Sequence, residues 1–193
     1  MTYLISIFSQ FETRCKMVLI LTLGLIPLVL ASAGKLHAED HSKGQMRYRT
    51  GLKLLKDQSQ NGITDHAKDN IWFSMAAHDG HEGALFHLGA SYEKGQSVEK
   101  GLRLSAHFYC LVATRHHVAA QYNLAVMMAS GKGVKHDPGK ALTLILIAKR
   151  NTGLKPNARL RLNQFQTATK GMLNNAQISS TKWQVEKLFG THI

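Results

Sequence analysis

The sequence predicts an all-α protein, a solenoid of stacked antiparallel helix pairs, on three observations. Proline occurs only three times in 193 residues, amid many Ala, Leu and Lys, a composition that favours helix. Alternating runs of Val, Ile and Thr, the usual strand signal, are missing. The chain also repeats itself. Shifted by 36 residues, "GALFHLGASYEKGQSVEKGLRLSAHFYCLVA" (83–113) falls without a gap on "AAQYNLAVMMASGKGVKHDPGKALTLILIAK" (119–149). A fixed period of this length marks supersecondary units that stack to share one core.

At the N-terminus, Arg14 and Lys16 precede an uncharged apolar run over 17–30, and "ASAG" follows. Basic flank, short apolar core and small residues at Ala31 and Ala33 predict an export signal over 1–33, cut after Ala33. The alternative is an uncleaved membrane anchor over 17–34, because the uncharged stretch runs on to Gly34. Against an anchor, a span wants about 20 apolar residues, and Pro27 weakens a long helix. A polar linker is expected over 34–42, helical repeats over 43–153, and a C-terminal helical cap with a degenerate repeat over 154–193. Helix pairs are expected near 43–78, 83–114 and 119–150, then single helices near 156–170 and 180–189.

Within one unit the spacing has a physical reason. Ala84, Leu88 and Tyr92 recur every four residues and share one helix face. Ala84 and Gly89 let a neighbouring backbone approach, while Leu88 and Tyr92 fill the space between helices. Gly95 and Gly131 suit helix ends that need positive φ. Asp137 and Pro138 suit the N-cap and first position of the following helix. In the second helix Phe108, Tyr109, Val112 and Ala113 supply the complementary stripe. One pair cannot cover its own apolar face, so several must stack.

These residues resemble the Sel-one-like repeat (SLR), a relative of the tetratricopeptide repeat. "ALFHLGASYEKGQSV" matches the first half of the family pattern, "GKGVKHDPGKA" its loop and second helix start, and "WFSMAAHDGHEGA" the junction between units. The likeness covers about residues 48–153. Departures are Ala125 for glycine, Gly101 for aspartate and Leu144-Ile145 for the aromatic pair. The resemblance implies a right-handed superhelical solenoid whose first helices line a concave face that holds a protein or peptide partner. Carried over position by position, Phe86, His87 and Ala90 come from one unit, Tyr122, Asn123 and Val126 from the next, and Arg161 and Gln164 from the degenerate last one.

Other chemistry is less visible. Eleven histidines include "HDGHEG" and "RHH", equivalent loops by the repeat register. Neighbouring units stack about 10 Å apart, long for ligands that must sit about 2 Å from one metal, so no metal site is expected. Cys15 lies within the expected signal, which leaves Cys110 alone in the cut chain and no internal disulfide. No GxSxG elbow, phosphate loop or dinucleotide fingerprint occurs, so neither an enzyme nor a cofactor is expected. Trp72, Tyr92, Phe108 and Tyr109 fall at stacking positions and should be buried, which argues against nucleic acid. The net charge is +12, and eleven Lys or Arg after residue 130 meet only Asp137 and Glu186. That basic C-terminal third suits an anionic envelope polymer or lipid surface. The expectation is an exported, periplasmic or secreted adaptor that binds a protein or peptide. Its alternatives are a regulatory subunit of a cell-wall or polysaccharide enzyme, and a membrane-tethered binder of anionic envelope surfaces. The oligomeric state is open.

Overall fold

The computed structural model describes residues 30–61, 66–96 and 98–190, with side-chain burial from residue 41. Among them are eight helices and no strand: α1 (Leu30–Gln60), α2 (Ala67–His78), α3 (Glu82–Lys94), α4 (Leu102–Ala113), α5 (Val118–Ser130), α6 (Pro138–Lys149), α7 (Pro156–Lys170) and α8 (Asn175–Phe189). Each helix from α1 to α6 packs on the next in the chain, so α1–α2, α3–α4 and α5–α6 are stacked pairs. Their ends follow the expected signals. Gly95 and Gly131 close α3 and α5 at φ of 74° and 68°, and Asp137 caps α6 by accepting from the Lys140 amide at 2.9 Å.

The core is the stack. Leu88 and Leu124, one period apart, are 5% and 2% exposed between neighbouring pairs. Tyr109, Val112 and Ala113 of α4 pack with Leu124, Ala125 and Met128 of α5, and Ala141 and Ile145 of α6 continue the same cluster. Phe73, Ala76, Ala84 and Leu88 join the first pair to the second. Arg47 of α1 clamps the end of α2 with two bonds to Asp79 at 2.8 and 2.7 Å. In each aromatic pair the second member is buried. Phe73 and Tyr109 are inside, whereas Trp72, Tyr92 and Phe108 are only half-buried, because the first member packs at the edge of the stack, as where Phe108 stacks on Tyr92 at 5.7 Å. Cys110 is half-buried against the core.

Three features differ from the sequence reading. Residues 34–42 are helical within α1 instead of forming a linker; the stretch is polar but holds no proline to stop a helix. The last helix starts at Asn175, five residues before its expected place, because Asn174 and Gln177 form a reciprocal capping box at 2.8 and 3.0 Å. That helix also does not pair with α7. It lies on α6, where Val185 packs with the buried Leu142 and Leu146. The fourth unit therefore consists of its first helix alone, and Leu160 on α7 stays 56% exposed. The expected export signal falls outside the described residues, apart from its last four, which open α1.

Candidate functional site

The first helices of successive units, α3, α5 and α7, line a groove of about 1110 Å³, to which α1, α2 and α4 also contribute. Phe86, His87, Ala90, Tyr122, Asn123 and Arg161 all border it. Val126 is half-buried and Gln164 exposed, and neither borders the cavity. Val126 stands one period after Ala90, which does border the cavity, so the repeat register alone does not account for the split.

The groove floor is aromatic. Phe86 lies 4.9 Å from the His117 ring and 5.6 Å from Tyr109, and Tyr122 meets Phe165 of α7 edge-on at 5.4 Å. His87 stacks on Phe73 with ring centroids 4.5 Å apart. Burial holds the His87 imidazole below its ordinary value, partly offset by the Asp69 carboxylate. The Tyr109 hydroxyl donates to Glu93 at 2.8 Å. Burial, then the Glu93 bond and charge, push that phenol above its usual range.

A polar seam between α2 and α3 closes one end, and no repeat pattern announced it. Asp69, only 2% exposed, faces His66 at 3.3 Å through Oδ2, while Oδ1 has no hydrogen-bond partner among the described residues. Ser91 donates to Asn70 at 2.7 Å, and Asn70 donates to the Gln96 carbonyl at 2.8 Å. Lys94, Lys100 and Lys155 also border the groove and escaped the sequence reading. They stand at helix ends or in loops, where side chains are set by how units stack and carry no period.

The two histidine loops have a structural role. His81 and His117, 36 residues apart, each cap the next helix: Nδ1 accepts from the Ala84 amide at 3.3 Å and from the Ala120 amide at 3.2 Å. His81 Nε2 contacts Gln45 Oε1 at 3.0 Å, and its ring stacks on Tyr48 at 4.1 Å. Among the described residues, no group of three or more His, Cys, Asp or Glu is placed to hold a metal ion. No described helix is long and apolar enough to cross a membrane.

No protein-family model matches the sequence, and no curated protein matches it. Solved structures do. The chain is similar to a protective antigen of uropathogenic Escherichia coli displaying an SLR fold, at 22% identity and a TM-score of 0.63, over 75% of this chain and 30% of that one. It is also similar to a Sel1 repeat protein from Oxalobacter formigenes, at 21% identity and a TM-score of 0.45, over 73% of this chain and 62% of that one. This chain therefore spans under a third of the antigen's length and under two thirds of the second protein's. The chain has the SLR fold that its repeats resemble.

Proposed function

We propose that this SLR-fold chain is an exported, non-catalytic scaffold that holds an extended segment of a protein partner in the groove across α3, α5 and α7. One observation carries the reading: six of the eight residues carried over from the resemblance border a single cavity. An open trough with an aromatic floor and polar edges suits many modest contacts along a peptide. Asn123 offers an amide to a partner's backbone, and Arg161 a forked cation to an acidic group. The polar groups at the groove's end are engaged with one another, Glu93 with Tyr109 and Asp69 with His66, which suits holding better than turnover. Export rests on the apolar segment and small residues ahead of Gly34.

Two variants test the groove. Tyr122→Ala with Asn123→Ala removes one wall, and Ala90→Trp fills the trough from its half-buried edge. Both should weaken partner capture while far-UV circular dichroism keeps its helical signal; unchanged capture rejects the groove. N-terminal sequencing of the chain from its native host should start at Gly34, and a retained apolar segment rejects cleavage. A second reading, attachment to an anionic envelope surface, is favoured by one cluster. Lys149 on α6 lies close enough to Lys170 and Arg159 on α7 that burial and those two charges lower its pKa, and no Asp or Glu occurs over 138–185. Such attachment should collapse as salt rises, whereas capture in the groove should change less.

A further inference from the structure

Charge is distributed unevenly along the groove. At the α2–α3 end, Lys94 and Lys100 border the cavity together with the carboxylates of Asp69 and Glu93. At the α7 end, Lys155 and Arg161 border the cavity with no carboxylate lining that side. Both are exposed, and neither has an ion pair among the described residues. The helix start beside them adds to the excess. Lys155 occupies the N-cap of α7 without a side-chain cap hydrogen bond, so the positive pole of that helix is unopposed. Between the two ends lie the apolar surfaces of Phe86, Val118 and Tyr122.

Such a groove discriminates among partner segments. A purely apolar peptide would leave two cations and a helix pole uncompensated, and a bare phosphate would leave the aromatic floor unused. A segment with an apolar side chain and a nearby carboxylate satisfies both. Arginine takes a carboxylate through two parallel N–H bonds, and lysine supplies a point charge beside it. The spacing follows from helix packing. Tyr122 of α5 meets Phe165 of α7; with about 10 Å between packed helices and about 3.3 Å of extended backbone per residue, the two features lie about three residues apart.

Resting on the groove reading above, we propose that the occupant is an acidic peptide segment: an aromatic or aliphatic side chain lodges over Phe86 and Tyr122, and an Asp or Glu about three residues away sits between Lys155 and Arg161. The acidic residue fixes the direction in which the segment lies, because the opposite end of the groove already contains its own carboxylates.

The test is selection of a displayed library of random eight-residue peptides on the full chain, on Lys155→Gln with Arg161→Gln, and on Ala90→Trp. Captured peptides should be enriched in Asp or Glu about three positions from an apolar residue. That acidic enrichment should vanish on the Lys155/Arg161 variant while the apolar preference remains. For the best peptide, changing its acidic residue to the amide should weaken Kd about tenfold, the size of one charge-assisted bond, and should cost nothing on the variant. Apolar enrichment without acidic bias, or acidic bias that survives the variant, overturns this inference and leaves the groove standing. A library with no capture that Ala90→Trp abolishes overturns the groove itself. Circular dichroism of both variants keeps a folding failure from being read as a binding result.

Discussion

His116 holds a backbone φ of +63°, while Gly80, one period earlier, holds +79°. The turn between units thus demands a left-handed residue at this point, and the chain supplies glycine once and histidine once. A histidine there carries steric strain that glycine avoids, about 1–2 kcal/mol, partly offset by the greater freedom of glycine in the unfolded chain. His116→Gly should therefore raise stability by about 0.5–1 kcal/mol, seen as a higher urea midpoint at unchanged slope. No gain would mean that the turn relaxes around the histidine. The neighbours at 81 and 117 show why residue type alone misleads. Histidine clusters invite thoughts of metal, yet here one ring nitrogen takes the place of the serine or aspartate oxygen that usually caps a helix. Only the amide three residues on, at 84 or 120, reveals that use, and the sequence does not show where amides point.

Between elements, the departures from the repeat pattern explain one another. A methyl group built on Gly89 would stand 2.8 Å from the Tyr109 ring, so glycine on α3 is what admits a large ring from α4. Gly51 stands to Phe73 in the same way, at 2.7 Å. In the third pair the ring is absent, since Ile145 replaces it, and Ala125 replaces the glycine with both residues fully buried. Gly89→Ala should cost about 1–3 kcal/mol by overpacking, while Ala125→Gly should cost only about 1 kcal/mol, mostly helix propensity. In a Tyr109→Leu background the Gly89 change should lose most of its cost. Additive effects in that cycle, measured by urea unfolding, would show that glycine and ring are not coupled. All eight helices were expected, the last one starting five residues late, because the 36-residue register, αL glycines and the Asp137-Pro138 start are local signals. The docking of α8 on α6 was not. It depends on Leu142 and Leu146 needing cover, a demand that a degenerate unit leaves unspoken.

Across the whole molecule, stability is a sum over pairs and their junctions, and the junctions are where the perturbed histidines gather. His81 and His87 stand where the first pair meets the second, and His117 where the second meets the third. Burial is the main cause that lowers all three pKa values. His41 adds to it at His81, and His117 and Lys94 add to it at His87, while Glu82 and Asp69 partly oppose. Six of the eight positions carried over from the resemblance border the cavity, and to that extent its lining was legible. The lysines at its ends, Lys94, Lys100 and Lys155, were not, since junction geometry alone brings them in. Both caps need a bare Nδ1, so protonation removes a helix cap and places a charge among aromatic rings. In the unfolded chain these imidazoles titrate near the ordinary value of about 6.5; in the folded chain they titrate lower. The unfolded state therefore takes up protons first. The contribution of the neutral rings is complete above about pH 6.5 and declines as pH falls toward the folded values. Urea unfolding should thus show a lower midpoint at pH 5.5 than at pH 7.5. His81→Asn with His117→Asn keeps an oxygen in each cap without a titrating group, and should flatten that dependence. A decline of equal size in the double variant would assign the acid sensitivity to other groups. Because the groove crosses both junctions, wild-type capture of a partner segment should weaken over the same pH interval, and less so in the double variant.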